Sequence, residues 1–267
     1  MSNETAKQLK ALHVPSSPVV FTNVWDTTSF NTVVSLNDGD SKPVKAIATA
    51  SYAIAANNGI NDPDLTLEQN LQAIAKIAAL AKAAGLPLSA DLQDGYGDKI
   101  ATAVTRAVEL GAVGANIEDS VPATSQMVGI DEQVQRYKTA LKAAADAGCP
   151  DFVLNARCDL FHFVDGGEAL LDEAIARGKA YLAAGATTVF YWGGPGRGLR
   201  TAWVERLVKE LDGRVAVILG PFPNLLTVAE LAKIGVARIS VGPSLYRIAT
   251  EAIRQAAGKL LSGGGLV

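Results

Sequence analysis

The sequence predicts a single (β/α)8 barrel, an α/β fold of the TIM-barrel class that spans residues 1–267 as one domain. Three observations support this prediction. The length of 267 residues fits one barrel, since such barrels typically take about 250 residues. Short apolar segments rich in β-branched residues alternate with segments of helical periodicity. Eight of these apolar segments occur at fairly even spacing: 19–24, 46–51, 88–92, 114–119, 152–157, 188–192, 215–219 and 238–242.

The apolar segments are nearly continuous rather than alternating, which is typical of parallel strands buried on both faces. The best-defined helix falls at 65–85, with Thr66 as its N-cap and Gly85 as its C-terminal stop. An open doubly wound sheet is the rival architecture. Such sheets usually carry a glycine-rich turn after the first strand, and residues 23–30 contain no glycine, which favours the closed barrel.

The composition argues against several classes of function. The chain has 24 basic and 27 acidic residues and no run of Lys or Arg, so we expect no nucleic-acid partner. No apolar stretch is long enough to span a membrane, and the polar N-terminal segment has no apolar signal core. The two cysteines, Cys149 and Cys158, imply no disulfide framework and are expected to be reduced. These features predict a cytoplasmic protein.

Polar side chains collect where the predicted strands end, which is where (β/α)8 barrels place their active sites. The third, fourth and fifth strands end in Asp91, Glu118 and Arg157. Side chains alternate along a strand, so Asn116 shares the direction of Glu118, and Asn155 shares that of Arg157. If these residues point into the barrel, Asp91, Glu118, Asn155 and Arg157 share one mouth.

These charges predict a metal site for an anionic substrate. Two carboxylates that converge repel each other and raise each other's pKa. Mg²⁺ or Mn²⁺ removes that repulsion, because hard cations prefer oxygen ligands. The planar guanidinium of Arg157 would then bind a carboxylate of the substrate. The predicted ligand is a small 2-oxo carboxylate.

Seven stretches in register along nearly the whole chain resemble the isocitrate lyase/phosphoenolpyruvate mutase superfamily. Their order and their places at strand ends also match. The resemblance implies a barrel enzyme that holds a divalent metal and a small oxo-acid. The seven stretches are FTNVWDTTSF, KAIATASYAIA, NGINDPDLTLEQNL, ADLQDGYGD, GANIEDS, FVLNARCDLF and ARISVGPSLYRIA.

The resemblance also implies roles for individual residues. Asp91 would be the principal metal ligand. Glu118 would contact the metal through a water molecule or support one of its ligands. Asp62 falls where the superfamily has an acidic residue near the metal, and Arg157 matches its substrate-binding arginine. Gln93 is the third predicted metal-binding residue.

The remaining expected contacts come from several strand ends. The expected substrate-binding residues are Trp25, Asp26, Ser51, Tyr52, Asn155, Arg157 and Asn224. The expected catalytic residues are Arg157, Glu118, Asp62 and Tyr96. Water, Tyr96 and His162 are the candidate sources of a proton for the product.

Two departures from the superfamily pattern bear on the reaction. Gln93 stands where the family usually has a second aspartate, so this position offers an oxygen without a charge. The segment at 120–133, after the fourth strand, is short and lacks the cysteine that serves as general acid in the lyases. Cleavage of isocitrate or methylisocitrate by the usual mechanism is therefore not expected.

The leading hypothesis is a Mg²⁺-dependent lyase that breaks a C–C bond of a small 2-oxo or 2-hydroxy carboxylate. Without the general acid, decarboxylation fits better than aldol-type cleavage, because CO₂ needs no protonated leaving group. Two alternatives stay open. One is a protein that binds metal and oxo-acid without catalysis, and the other is a phosphonopyruvate-type hydrolase.

Structural roles also stay open for some residues. Asp91 and Glu118 could cap the helices that follow them, and Arg157 could serve only to pair with Glu118. The resemblance further implies a homo-oligomer, either a dimer or a tetramer. Superfamily members exchange a C-terminal helix with a neighbouring subunit. Here the helix-like segment at 243–261 could be the barrel's own eighth helix, so we expect a reduced or absent exchange.

Overall fold

A computed structural model describes residues 2–121, 124–163, 166–194, 198–220 and 226–266. In these residues eight parallel strands pair side by side in one sheet that curves into a nearly closed barrel. The (β/α)8 prediction is confirmed. In chain order the barrel strands are Val19–Phe21, Ile47–Ala48, Leu88–Asp91, Gly114–Ile117, Val153–Cys158, Thr188–Tyr191, Val215–Ile218 and Arg238–Ser240.

Helices surround the barrel and connect its strands. The α-helices of the described residues are Ser2–Ala11, Thr27–Val34, Ser51–Asn57, Leu67–Ala83, Ile100–Leu110, Ile130–Asp146, Leu160–Phe163, Glu168–Ala183, Thr201–Glu210, Val228–Ile234 and Ser244–Leu261. Two short 3-10 helices occur at Asp62–Asp64 and Gly97–Lys99, and Ser120–Val121 pairs with Gln126–Met127 in a small antiparallel hairpin after the fourth strand. None of the helices described here is both long and apolar enough to cross a membrane.

The helix at Leu67–Ala83 shows why the sequence pattern predicts the elements well. Thr66 caps it, with Gln69 N–H donating to Thr66 Oγ1 at 3.3 Å and Thr66 N–H donating to Gln69 Oε1 at 3.0 Å. Gly85 follows the end of the helix in the left-handed conformation, with φ of +67°. The buried face carries residues at helical spacing, including Leu71, Ile74, Ile77, Ala78 and Ala81.

The barrel closes between its first and second strands, which are shorter than predicted. The backbone N–H of Val24 donates to Ala48 O at 2.9 Å, and this single bridge replaces a longer ladder. Asn23 strengthens the seam, because its Nδ2 donates to Thr49 O and its Oδ1 accepts the N–H of Val241. A side chain therefore joins the first, second and eighth strands at this point.

The interior of the barrel contains a buried polar network below the strand ends. Thr188 Oγ1 donates to Asn155 Oδ1 at 2.6 Å, and Asn155 Nδ2 donates to Asn116 Oδ1 at 2.8 Å. Arg238 Nη2 donates to the same Asn116 oxygen at 3.0 Å. All four side chains are buried. Their alternation along the strands directs the next inward residues toward the carboxyl end of the barrel.

The C-terminal helix Ser244–Leu261 does not behave as the eighth helix of this barrel. Its first turn contacts the barrel, but within the described residues Ser244 is its one buried position. Ile248 is 53% exposed, Ile253 68% and Leu261 90%. Beyond its first turn the apolar side chains of this helix are exposed, so its packing does not support its assignment as the barrel's own eighth helix. The expected reduced or absent exchange with a neighbouring subunit stays a prediction.

Candidate active site

The carboxyl ends of the strands surround a cavity of about 270 Å³. Barrels of this class bind their ligands at this end. Six of the predicted site residues lie in the wall of the cavity. These six are Ser51, Tyr52, Asp62, Asp91, Glu118 and Arg157.

Asp91 ends the third strand and is held from the neighbouring second strand. Its Oδ2 accepts the backbone N–H of Ser51 at 2.9 Å, and its own N–H donates to Thr49 Oγ1 at 2.8 Å. Its Oδ1 is buried and has no hydrogen-bond partner among the described residues. Burying a carboxylate oxygen without a partner costs free energy, so this atom is an open position for a ligand.

Asp62 lies in the cavity wall, whereas Gln93, predicted to bind the metal, lies outside that wall and holds Asp62. Gln93 Nε2 donates to the backbone oxygen of Asp62 at 2.6 Å and to its Oδ1 at 3.0 Å. Burial raises the pKa of Asp62 above its usual value, and the charge of Asp91 raises it further. The neutral amide at position 93 therefore positions Asp62 without adding a third negative charge.

Arg157 connects two acids while facing the cavity. Its Nη1 lies 2.7 Å from Glu118 Oε1, and its Nη2 donates to Asp159 Oδ1 at 2.7 Å. Burial opposes the charge on Arg157, yet Asp159 and Glu118 together hold its pKa above the usual value. Burial raises the pKa of Glu118 well above its usual value, although Arg157 acts in the opposite direction.

The guanidinium of Arg157 retains capacity for a ligand. It has five N–H donors, and its contacts in the described residues use Nε and Nη2 toward Asp159 and Nη1 toward Glu118. The side chain is 12% exposed and forms part of the cavity wall. Pairing with Glu118 and binding a substrate carboxylate are therefore compatible roles for this residue.

Aromatic side chains line the part of the cavity wall next to Arg157. The Arg157 guanidinium lies 5.5 Å from the centre of the Phe190 ring and 5.6 Å from that of Trp192. His162 stacks on Trp192 with ring centres 4.4 Å apart and planes 17° apart. These rings exclude water from one side of Arg157, which strengthens its interaction with an anion.

Some predicted substrate contacts lie elsewhere. Asp26 is the N-cap of helix Thr27–Val34, where its Oδ1 accepts the Ser29 N–H at 2.7 Å. Trp25 packs edge-on against Tyr246 with ring centres 5.3 Å apart. Both line a separate surface cleft rather than the cavity.

Asn155 and Tyr96 also lie behind the cavity wall. Asn155 is fully buried one layer deeper, in the polar network described above. The Tyr96 hydroxyl accepts a hydrogen bond from Asn70 Nδ2 at 2.8 Å, and burial raises the pKa of Tyr96 above its usual value. A phenol that holds its proton more tightly is a weaker acid. Asn224 lies outside the described residues.

The cavity wall also includes residues that the sequence interpretation did not assign to the site. Asn116, Asn23 and Ser240 contribute polar groups to it. Alternation along the fourth strand was the available signal for Asn116, because it places this residue on the side of Glu118. His162, which the sequence interpretation named as a candidate proton source, comes from the short helix Leu160–Phe163 after the fifth strand.

The donor set fits a divalent cation bound mainly by one carboxylate. No group of three acidic, histidine or cysteine side chains in the described residues lies close enough to coordinate an ion directly. Asp91 Oδ1 is nevertheless buried and unpaired, and Asp62 and Glu118 face the same cavity. Mg²⁺ often uses one or two protein carboxylates and fills its other positions with water and substrate.

Comparison with known proteins places this geometry in a family. Residues 9–261 match the family model of phosphoenolpyruvate phosphomutase. An oxaloacetate decarboxylase of Rhodopseudomonas palustris (strain BisB5) is 30% identical over 232 residues, which are 81% of this chain and 71% of that protein. The 2-methylisocitrate lyase of Escherichia coli (strain K12) is 33% identical over 156 residues, covering 55% of this chain and half the length (50%) of that relative.

A solved structure shows the same architecture. Oxaloacetate acetylhydrolase in complex with its product oxalate superposes with a TM-score of 0.83 at 25% identity. The alignment covers 98% of this chain and 89% of that chain. The match of the family model over most of the chain, together with the decarboxylase relative, is sufficient to assign the family. The chain belongs to the phosphoenolpyruvate mutase/isocitrate lyase superfamily of enzymes.

Proposed function

We propose that the protein is a Mg²⁺- or Mn²⁺-dependent lyase that removes CO₂ from a small 2-oxo dicarboxylate of the oxaloacetate type. One observation carries the proposal: the unpaired Oδ1 of Asp91 and the guanidinium of Arg157 border one cavity of about 270 Å³. A carboxylate for a cation and an arginine for an anion are the two groups that a metal-bound oxo-acid requires. The oxaloacetate decarboxylase relative supports the choice of substrate class.

Different cavity residues would bind the cation and the substrate. When bound, the divalent cation supplies Lewis-acid chemistry that polarises a 2-oxo group and stabilises negative charge there. Asp91 would hold that cation through Oδ1, and the Ser51 N–H holds Asp91 through Oδ2. Arg157 binds a carboxylate of the substrate with the donors that Glu118 and Asp159 leave unused.

The reaction needs no general acid for its first step. The bond between C3 and C4 of the dicarboxylate breaks, CO₂ leaves, and the electron pair moves into the enolate of the remaining three-carbon acid. A proton then adds to C3. The absence of the lyase cysteine from segment 120–133 is therefore compatible with decarboxylation, whereas aldol-type cleavage would require an acid and a base.

We propose that water or His162 donates the proton that adds to C3 of the enolate. His162 lies in the cavity wall, and its stacking on Trp192 holds the ring there. Tyr96, the other candidate, directs its hydroxyl toward Asn70 instead. Imidazoles are effective general acids near neutral pH.

The test is a panel of 2-oxo acids followed by NMR, with and without Mg²⁺. Oxaloacetate should give pyruvate and CO₂ faster than Mg²⁺ alone produces them, since the metal ion also catalyses this reaction in solution. Asp91→Asn is the matched control, because it keeps the shape of the side chain and removes its charge. Oxalate and acetate as products would instead indicate hydrolysis at the same site.

The same samples address the non-catalytic alternative. Thermal stabilisation by Mg²⁺ with an oxo-acid, without turnover of any member of the panel, would identify a binding protein. Release of phosphate from phosphonopyruvate would identify the hydrolase. Either result would overturn the proposed lyase activity.

We further propose that the protein is a homo-oligomer in which a second copy covers the C-terminal helix. Ile253 is 68% exposed and Leu261 90%, which places apolar surface along an unpaired helix. Light scattering with size exclusion should show a dimer or tetramer. Ile253→Glu should shift the protein toward the monomer, and a monomeric wild-type protein would contradict this proposal.

A further inference from the structure

Arg238 occupies an unusual position in the last barrel strand. Its side chain is fully buried inside the barrel, with the guanidinium 4.1 Å from the centre of the Phe21 ring. Nη2 donates to Asn116 Oδ1 at 3.0 Å and lies 3.3 Å from Ser89 Oγ. Nη1 lies 3.5 Å from His13 Nε2, while Nε has no partner among the described residues. In the described part of the chain, every polar group that contacts this guanidinium is therefore neutral.

Packing alone does not explain a buried arginine without a carboxylate. Taking a guanidinium out of water is unfavourable unless an ion pair and complete hydrogen bonding offset the loss of hydration. Arg238 has no carboxylate partner among the described residues, and its hydrogen bonding is incomplete because Nε is unpaired. Burial lowers the pKa of Arg238 to about 9, and the charge of Asp91 acts in the opposite direction, so the group still carries its charge at neutral pH. The chain accordingly keeps a positive charge beneath the cavity at a cost to its stability.

The partner of Arg238 connects this charge to the cavity. Asn116 Oδ1 accepts two hydrogen bonds, from Arg238 Nη2 at 3.0 Å and from Asn155 Nδ2 at 2.8 Å. Arginine is only a donor, so the Asn116 atom that faces it must be the oxygen. The other end of the amide, Nδ2, has no partner among the described residues, and Asn116 lies in the cavity wall.

We propose that Asn116 donates its side-chain N–H to an oxygen of the bound oxo-acid, and that Arg238 is a positioning residue that orients and polarises this amide from below. The inference rests on the proposed function, because it names a further contact of the same ligand. Hydrogen bonds polarise one another in series, so a cation on the oxygen of an amide makes its N–H a better donor. The contact favours an oxygen that carries negative charge, as the enolate oxygen does.

The experiment compares four variants with the wild-type protein. Arg238→Met removes the charge and keeps an apolar side chain of similar length. Asn116→Leu removes the donor, and the double variant Arg238→Met/Asn116→Leu replaces both partners by apolar groups. Arg214→Met is the matched control, because Arg214 precedes the seventh strand at the opposite end of the barrel and bonds only the backbone there.

Two measurements are made on each protein: the urea midpoint and the Kd of oxalate in the presence of Mg²⁺ by calorimetry. Oxalate is a stable mimic of the enolate of a three-carbon oxo-acid. We expect Arg238→Met to keep or raise the urea midpoint, because Asn155 still satisfies Asn116 Oδ1. We expect each single variant to bind oxalate about tenfold more weakly or worse, with the double variant losing less than the product of the two effects.

The other outcomes would overturn the inference. An unchanged oxalate Kd in Arg238→Met, with or without a lower urea midpoint, would assign Arg238 to the fold alone. Strictly multiplicative losses would show that Arg238 does not act through Asn116. If Arg238→Met does not fold, the double variant decides: folding with weakened oxalate binding supports the inference, and failure to fold contradicts it. Wild-type protein that binds no oxalate would instead remove the proposed function, and the inference with it.

Discussion

Two buried arginines show how differently this chain treats positive charges. Arg177, between helix Glu168–Ala183 and the barrel, uses Nη1 to contact Asp119 Oδ2 at 3.2 Å and Val128 O at 2.9 Å. Its Nε contacts Glu173, and the Tyr181 hydroxyl donates to Asp119 at 2.7 Å. Among the residues that the structure describes, Arg238 in the barrel interior contacts only neutral groups and its Nε has no partner.

The difference distinguishes buried polar groups that stabilise the fold from buried polar groups that can bind a ligand. Around Arg177 every charge faces an opposite charge or a donor, and both carboxylate oxygens of Asp119 have partners. Around the cavity, Arg238 Nε and Asp91 Oδ1 both lack partners in the described residues. Incomplete pairing is unfavourable for folding, and it is therefore the better guide to where a ligand binds.

The largest loss of stability is expected at Asp119, whose two carboxylate oxygens both have partners. Asp119→Ala leaves Arg177 buried without its main carboxylate, and the free energy of unfolding should fall by about 3–5 kcal/mol. Urea denaturation measures this loss. Asp131→Ala, in the exposed first turn of the next helix, is the control and should change stability by less than about 0.5 kcal/mol. A loss of the same size in both variants would remove the distinction between the two clusters.

In the cavity, removing a charge is expected to reduce activity without reducing stability. Asp91→Asn should lower the rate of oxaloacetate decarboxylation by about 10²–10³-fold, because the proposed cation loses its charged ligand. The free energy of unfolding should stay constant or rise, since Asp91 Oδ1 has no partner to lose. Steady-state kinetics and urea denaturation on the same sample test both parts. An active or strongly destabilised variant would contradict the comparison.

The environment of Arg238 also predicts a dependence of stability on pH. Burial lowers the pKa of His13 to about 3, and the nearby Arg238 charge lowers it further. The folded state therefore binds fewer protons than the unfolded state between the folded and the ordinary pKa of 6.5. Stability is then complete above pH 6.5 and falls as the pH decreases.

Between pH 7.5 and 5 the expected loss from this histidine is about 2 kcal/mol. Urea denaturation at the two pH values measures it. The chain contains two histidines, so His13→Gln leaves His162 as the remaining imidazole and should show a smaller difference between the two pH values. An equal difference in the variant would assign the pH dependence to other groups.

The smallest expected effect concerns Asp26, and it tests whether this carboxylate caps a helix or binds the ligand. Asp26→Ala should lower the free energy of unfolding by about 1 kcal/mol, because Asp26 caps helix Thr27–Val34. Oxalate affinity should not change, since Asp26 lies outside the cavity wall. Thr66→Ala removes an N-cap from another helix and is the matched control. A loss of oxalate binding in Asp26→Ala would restore the substrate-binding role that the sequence suggests.

Much of the site could be predicted because strand geometry is regular. Parallel strands in a barrel end at the same face, and side chains alternate, so Asp91, Glu118 and Arg157 could be placed together from the sequence. The same argument places Asn155 on the correct side but does not give its depth. It lies one layer below Arg157, where Asn116 and Thr188 occupy its amide.

Other features depend on contacts that a sequence pattern does not contain. The contacts of Arg238 with Asn116 and His13 join residues 122 and 225 positions apart. Arginine is rarely buried, so its position in a strand did not suggest the barrel interior. For the C-terminal helix, an amphipathic pattern predicts an apolar face but does not tell which surface covers it.

The position of Trp192 provides an optical signal for the cavity. The indole stacks on His162 and lies 5.6 Å from the Arg157 guanidinium, so a ligand that binds Arg157 alters its surroundings. The chain has three tryptophans, and the other two, Trp25 and Trp203, lie outside the cavity wall. Fluorescence emission from unlabelled protein can therefore report occupancy of this cavity during a titration, and a Trp192→Phe variant identifies the share of the signal that comes from it.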